Sequence, residues 1–189
     1  MLYALRREGV RVTQVGNWSR HSRNAKGAWL GNAGVMIHHT ATSGVHDSVA
    51  VCNRGYAGLP GPLCHGVISK EGRVYLVGYG RANHAGLGDS HVLAAVLHGR
   101  ARPAPKLLDT DGNTLFFGFE VINLGDGRDP VTAAQLDAVV RTSAAICRHK
   151  GWGAHRVIGH KEWQKGKIDP RAFSMSVLRS RVARRLATS

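Results

Sequence analysis

Cysteine, aromatic residues and acidic residues are all scarce in this sequence, and long apolar runs do not occur. Three of the 189 residues are cysteines, without a CxxC pair, which argues against a disulfide framework and excludes a thiol-rich zinc finger. Aromatic residues make up 6%, too few for extended base-stacking platforms. No apolar stretch approaches the roughly 18 residues of a membrane-spanning helix, and residues 1–8 do not predict a secretory signal. We therefore expect no transmembrane segment.

The excess of basic residues is the strongest feature of the composition. Lysine and arginine number 26 against 12 acidic residues, a formal net charge of +14. Residues 141–189 hold twelve of the basic residues and only two acidic ones. Such a field attracts polyanions, either nucleic acid or a bacterial envelope rich in phosphate and carboxylate groups. A solvated basic face without a partner is the simpler explanation for any single arginine.

The pattern of apolar residues predicts one α/β domain over residues 1–189, with a central mixed β-sheet covered by helices. Residues 1–33 are expected to form a short helix and a loop, followed by a core over 34–189 that ends in a basic helix. The predicted strands cover residues 35–39, 65–69, 73–77, 116–122 and 156–159. The predicted helices cover residues 47–58, 89–100, 132–151 and a last segment that begins at Pro170.

The last predicted helix is amphipathic. Its apolar stripe is expected to pack on the core and consists of Phe173, Val177, Leu178, Val182 and Leu186. Its arginines are expected to lie exposed, namely Arg171, Arg179, Arg181, Arg184 and Arg185. This face is the candidate for binding an anionic surface.

Two of the eleven histidines lie where predicted strands end. His38 ends one apolar strand and His160 another, and Asp169 follows nine residues after His160. Two imidazoles and a carboxylate from separate strand ends can form a three-ligand zinc site with an open fourth position. In a sequence so rich in histidine, this triple alone is not specific.

Glu120 is the one charged residue of the predicted strand 116–122. A carboxylate among apolar side chains is costly to bury unless it is paired or functional, which favours a functional role. Cys64 and Cys147 are instead expected to be small core residues.

Several short segments give these residues a context. In chain order they are Ile37-His-His-Thr-Ala-Thr42, Asn83-His-Ala-Gly86, Phe117-Gly-Phe-Glu120, Ile158-Gly-His-Lys-Glu-Trp163 and Gly166-Lys-Ile-Asp-Pro170. Together they resemble the zinc-dependent N-acetylmuramoyl-L-alanine amidases of type 2, a family that includes peptidoglycan recognition proteins and many phage endolysins. The resemblance runs from about Gly34 to the C-terminal helix, which makes 34–189 the catalytic core. Segments 59–63 and 159–163 are most similar to amidases of actinobacteria and their phages.

The resemblance implies a role for each candidate residue. His38, His160 and Asp169 take the positions of the zinc ligands. Glu120 matches the carboxylate placed beside the zinc-bound water, and Lys167 matches the cation that holds the developing oxyanion.

Further histidines are candidates for substrate contact. His84 matches a histidine that lines the groove of the family, whereas His65 and His39 are candidates for which a structural role is also open. Two departures stand out. Cys64 occupies a position where some members have tyrosine, whose phenol is the better hydrogen-bond donor. The loop 161–168 is one residue shorter than in close relatives, which bears on the position of Lys167.

The implied function is hydrolysis of the amide between N-acetylmuramic acid and L-alanine in peptidoglycan, as in a phage endolysin. A non-catalytic muropeptide-binding module of the same fold is one alternative, although such modules typically lose a zinc ligand. A basic nucleic-acid-binding protein would explain the charge but not the motif order, so no nucleic-acid partner is expected. We expect a monomer, made in the host cytoplasm without a signal peptide, that acts on the cell wall and meets the anionic envelope through its basic C-terminal helix.

Overall fold

The computed structural model describes residues 1–188, which form six α-helices and ten β-strands. The helices are α1 (Leu2–Arg7), α2 (Val45–Arg54), α3 (Ser90–His98), α4 (Ala133–Lys150), α5 (His160–Trp163) and α6 (Met175–Ala187). The strands are β1 (Arg11–Gln14), β2 (Gly34–His39), β3 (Gly55–Tyr56), β4 (Leu59–Pro60), β5 (Gly66–Ile68), β6 (Arg73–Leu76), β7 (Leu87–Gly88), β8 (Thr110–Asp111), β9 (Phe116–Val121) and β10 (Val157–Gly159). Ser189, the last residue of the predicted domain, lies outside the described residues.

Six of these strands, all within residues 1–188, form one mixed sheet in the order β1-β6-β5-β9-β2-β10. Strands β5 and β6 pair antiparallel, and the other neighbouring strands pair parallel. The predicted α/β class with a central mixed sheet is thus confirmed. Because β9, β2 and β10 run parallel side by side, their carboxyl ends meet at one edge of the sheet, where functional side chains can converge.

Strand β2 contributes side chains to the two layers that cover the opposite faces of the sheet. Val35 and Ile37 pack into the larger core, which the helices α1, α4 and α6 cover. Met36 faces the opposite side and packs into a second core with residues of α3 and α5. Successive side chains of a strand point to opposite faces, so His38 emerges on the side of Met36, at the carboxyl end of the strand.

Helix α4 begins and ends as its sequence predicts. The Thr132 hydroxyl accepts a hydrogen bond from the backbone N–H of Gln135, at 3.0 Å. Gly151 follows the last turn with φ of 67°, a left-handed conformation that glycine adopts without a steric cost. Within residues 1–188, neither this helix nor any other is long and apolar enough to cross a membrane.

The N-terminal segment differs from the predicted helix and loop. Helix α1 is present, but residues 11–14 form an additional strand, β1, at the edge of the sheet. This strand pairs parallel with β6, where Arg11 lies opposite Arg73. Its polar residues, among them Thr13 and Gln14, lack the apolar alternation by which a strand is identified from sequence.

The C-terminal helix α6 packs through part of the predicted apolar stripe. Leu178 and Val182 are fully buried, and Phe173 and Leu186 pack partly buried against the same core. Val177 is 52% exposed, so its predicted burial is wrong. It lies one residue before Leu178, outside the arc of the helix that faces the core.

The prediction that all five arginines of this segment lie exposed is also wrong. Both terminal nitrogens of Arg179 donate to the Glu162 carboxylate, at 2.8 and 2.9 Å. Arg185 lies against the buried carboxylate of Glu8, with 2.7 Å between Nε and Oε1. Both guanidinium groups are therefore partly buried where they contact these carboxylates. The arginines that do lie exposed are Arg171, Arg181 and Arg184.

Candidate metal centre

Three potential metal ligands converge at the carboxyl edge of the sheet. His38 lies near the end of β2, and His160 begins α5 directly after the neighbouring strand β10. Asp169 lies on the following loop, which is held against α5 by a 2.7 Å hydrogen bond from the N–H of Lys161 to the carbonyl of Asp169. The sequence-predicted ligands are therefore brought together by two adjacent strands and one short loop.

The three ligand atoms form a nearly equilateral triangle. Nδ1 of His38 lies 3.1 Å from Nδ1 of His160 and 3.0 Å from Oδ2 of Asp169. The third side, from Nδ1 of His160 to the same Oδ2, measures 3.1 Å. Ligand atoms bound to one tetrahedral zinc ion lie about 3.3 Å apart, given zinc–ligand bonds of about 2.0–2.1 Å. The donor set and its spacing fit a zinc ion.

The remaining ring nitrogens point into the protein. Nε2 of His38 lies 3.1 Å from Nδ1 of His84, and Nε2 of His160 lies 3.0 Å from Oε1 of Gln164. Burial lowers the pKa of His38 to about 4, so this imidazole is uncharged at neutral pH. An uncharged imidazole retains the lone pair that a metal ligand needs.

Glu120 lies beside the triangle on the neighbouring strand β9. Its backbone is in register with His38, and its side chain faces the groove in front of the ligands. Oε2 is buried and has no hydrogen-bond partner among residues 1–188. Burial raises the pKa of Glu120 well above its usual range, and Asp169 adds to this whereas Lys167 opposes it. A buried carboxylate oxygen without a partner is a group available to a ligand.

A groove of about 340 Å³ leads to these side chains. One wall is formed by helix α2 and the short β3–β4 hairpin, through Val51, Tyr56 and Leu59. Lys167 lines the groove from the loop that carries Asp169, and its side chain is exposed. The groove thus brings a cation, a carboxylate and the ligand triangle to one solvent-accessible space.

The other candidate histidines occupy different positions. His39 is half-buried and lines the groove. His84 also lines the groove, although it is only 9% exposed, and its ring contacts His38. His65 is fully buried, its Nε2 donates to the carbonyl of Gly80 at 2.8 Å, and its Nδ1 accepts from the N–H of Gly118 at 2.9 Å. Both ring nitrogens of His65 are therefore engaged by the backbone.

Cys64, at the position of the family tyrosine, is also fully buried. It packs with Cys52 in a small core under helix α2, and burial raises the pKa of its thiol well above the usual range. All three cysteines have free thiols. The thiol of Cys64 is therefore a core group, as the sequence predicted, and is not a substitute for an exposed phenol.

Gln164 is a site residue that the sequence analysis did not identify. It accepts from His160, and it lies four residues later in the chain. Residues four apart meet on one face of a helical turn, so this spacing is the signal by which Gln164 could have been found.

Solved amidase structures share this fold. The amidase LysC from Clostridium intestinale is 16% identical, with a TM-score of 0.61 over 91% of this chain and 97% of its own. AmiD from E. coli, in complex with anhydro-N-acetylmuramic acid-L-Ala-D-gamma-Glu-L-Lys, is 20% identical, with a TM-score of 0.58 over 84% of this chain and 60% of its own. The endolysin of bacteriophage Ph2119 from Thermus scotoductus is 12% identical, with a TM-score of 0.55 over 91% and 99%.

Sequence comparison identifies the family directly. No curated protein matches the chain by sequence. The sequence profile of N-acetylmuramoyl-L-alanine amidase matches residues 31–172, a range that contains all three members of the ligand triangle. Since this range is well over half of the chain, the protein belongs to the N-acetylmuramoyl-L-alanine amidase family and is a peptidoglycan amidase.

Proposed function

We propose that this amidase is a zinc-dependent endolysin that cleaves the bond between the lactyl group of N-acetylmuramic acid and L-alanine. The observation that carries the proposal is the triangle of His38, His160 and Asp169 beside the unpartnered oxygen of Glu120. The bound ligand named for AmiD, a muramyl peptide, supports the same substrate class for this chain. The similarity of segments 59–63 and 159–163 to those of actinobacterial and actinophage amidases supports an origin in that group.

The ligand triangle would hold the zinc ion. His38 and His160 offer nitrogen ligands and Asp169 offers a carboxylate, a donor set that suits zinc and leaves a position open. Bound zinc supplies Lewis acidity towards the scissile carbonyl and lowers the pKa of water towards neutrality.

Glu120 would carry the proton during hydrolysis. Its free carboxylate oxygen faces the groove, where it can accept the proton of the attacking water and then deliver it to the leaving amine of L-alanine. A pKa raised by burial suits the first of these transfers, because it makes the carboxylate of Glu120 a stronger base towards the proton of water than an exposed glutamate is.

Lys167 would stabilise the negative charge that develops on the carbonyl oxygen. Its ammonium group lines the same groove, and an ammonium near the reacting carbonyl lowers the energy of the tetrahedral oxyanion. His39 lies within the groove at a position where it can contact the bound muropeptide.

The exposed arginines of α6 would attract the anionic envelope. Arg181 and Arg184 project from the helix, whereas Arg179 and Arg185 are held in ion pairs. The proposed envelope contact therefore involves fewer charges than the sequence suggested. We propose that the enzyme acts as a monomer on the wall.

Metal analysis combined with a wall-lysis assay tests the zinc proposal. Protein purified without added zinc is expected to contain one zinc per chain, to clear a suspension of cell walls, and to lose this activity in a chelator. Released peptides should carry new N-terminal alanine, without new reducing sugar ends. A metal-free protein that still cleaves peptidoglycan would refute the assignment.

A further inference from the structure

His84 contacts the metal ligand His38 from the side opposite the ligand triangle. Its Nδ1 lies 3.1 Å from Nε2 of His38, and its own Nε2 lies 3.2 Å from the carbonyl oxygen of Phe116. Both ring nitrogens of His84 thus have a partner within the protein.

The backbone carbonyl determines the direction of this hydrogen-bond chain. A carbonyl oxygen only accepts, so Nε2 of His84 carries the proton and donates to Phe116. The uncharged ring of His84 then has a bare Nδ1, which accepts from Nε2–H of His38. With its proton on Nε2, His38 turns the lone pair of Nδ1 towards His160 and Asp169.

Two other residues, Gly118 and Asn113, fix the position of the His84 ring. A Cβ atom at Gly118 would lie 2.5 Å from Nδ1 of His84, so the ring occupies space that only glycine leaves free on this strand. The side-chain oxygen of Asn113 accepts the backbone N–H groups of His84, Ala85 and Gly86, at 2.9, 2.8 and 3.2 Å. These contacts fix the loop and the ring against β9.

We propose that His84 is a positioning residue that holds His38 in the metal-binding tautomer and orientation, although its ring also borders the groove. The proposal rests on the proposed function in that the triangle binds zinc. Partners of this kind commonly change metal affinity 10- to 100-fold. Gln164 plays the corresponding part for His160, although it is partly exposed, so water can replace part of its contact.

The first test compares two variants of His84 by zinc affinity, measured by competition with a chelating dye. His84→Phe keeps a ring but removes the acceptor, and is expected to weaken zinc binding about 10- to 100-fold. His84→Asn places an amide oxygen near the position of Nδ1, and is expected to remain within about tenfold of the wild type. The absorption spectrum of the cobalt-loaded protein should change in the first variant and be largely kept in the second.

The second test leaves His84 itself unchanged. Gly118→Ala is expected to displace the ring and to weaken zinc binding as His84→Phe does. In a protein that already carries His84→Phe, adding Gly118→Ala should cost little further affinity, because the contact is already lost.

His21→Phe is the matched control, since His21 also has a ring nitrogen at a backbone carbonyl, 2.7 Å from the oxygen of Val77, but does not line the groove. It should lower the melting temperature and leave the zinc affinity of the folded protein unchanged. Equal zinc affinity in wild type, His84→Phe and Gly118→Ala would overturn the inference while leaving the proposed function intact. So would an equal loss in His21→Phe, which would mark a general packing effect. A wild-type protein that binds no zinc would overturn both proposals.

Discussion

His38 and Glu120 occupy paired positions on the adjacent parallel strands β2 and β9. Residues in register on neighbouring strands point to the same face of a sheet and lie about 4.8 Å apart. The distance between the proposed metal ligand and the proposed proton carrier is therefore set by sheet geometry, whereas Lys167 lies on an exposed loop. A change at Glu120 should consequently act on chemistry without moving the ligands.

Glu120→Gln is expected to retain zinc and lose activity. The amide keeps the size of the side chain but cannot accept the proton of the attacking water, so the rate should fall roughly 10²- to 10⁴-fold. Zinc content and the rate of cleavage of a soluble muropeptide measure the two properties separately.

His160→Ala is the comparison for that experiment. It removes a corner of the ligand triangle and should lose zinc and activity together. Full activity of Glu120→Gln with metal bound would mean that another residue is the base.

Stability should fall as the pH drops from about 6.5 to about 4, in part through His65. Burial lowers the pKa of this histidine from 6.5 to about 4, so within this window the unfolded chain binds a proton that the folded chain does not. The stabilisation is complete above pH 6.5 and disappears as pH falls to about 4, a change of roughly 3 kcal/mol.

His65→Gln isolates this contribution, because glutamine can still donate to the carbonyl of Gly80. Urea unfolding at several pH values, with excess chelator throughout, should show a pH dependence smaller by about one proton in the variant. Identical slopes for the two proteins would assign the acid sensitivity to other groups.

Asp89 should be needed for the loop that follows helix α3. Its carboxylate accepts the N–H groups of Leu107 and Lys106, at 2.9 and 2.7 Å, and caps α3 through His91 and Val92. The hydrogen bond from Leu107 is the largest of the effects that lower the pKa of Asp89 to about 2. Asp89→Ala is expected to cost about 2 kcal/mol or more, since a lost cap alone costs about 1 kcal/mol.

Urea unfolding at pH 7 measures that cost. Asp89→Asn keeps an acceptor and should lose less than Asp89→Ala. Activity of the folded variants should be unaffected, because Asp89 does not line the groove. Wild-type stability in Asp89→Ala would contradict the prediction.

Binding to whole walls should weaken steeply with salt if α6 contacts the envelope. Surface attraction is screened over about 8 Å at physiological ionic strength, whereas cleavage of a small muropeptide should hardly change. Replacing exposed Arg181 and Arg184 by Gln should reduce wall binding and its salt dependence, as a pull-down with isolated walls would measure.

Replacing exposed Arg100 and Lys106 by Gln provides a control with the same change in charge at another surface. If both double variants bind walls equally well, overall charge rather than α6 is responsible. Arg185 is left unchanged, because its contact with Glu8 makes its loss a structural change.

The proximity of His38, His160 and Asp169 could be predicted from the sequence. Two of these residues follow apolar runs, and the carboxyl ends of parallel strands meet at one edge. The segments around them supplied the specificity that a histidine-rich chain otherwise lacks. The contact of His84 with His38 could not be predicted from the sequence, because it depends on a loop whose position is determined by Asn113.

Polar contacts between distant segments were the least predictable part of the fold. Strand β1 has few apolar residues, and its partner β6 can be identified only in three dimensions. Arg179 looked solvated because its partner Glu162 lies on a different helix. Hydrophobic periodicity reports which face of an element is buried, but not which charges meet across elements.

Glu8 joins the two ends of the chain. Its buried carboxylate lies 3.2 Å from Nε of Arg148 in α4 and 2.7 Å from Nε of Arg185 in α6. Both Glu8 and Arg185 fall outside the range 31–172 that defines the family. The packed core thus extends beyond the range that the family profile matches, and a protein trimmed to 31–172 would expose the surface of α4 that α1 and α6 now cover.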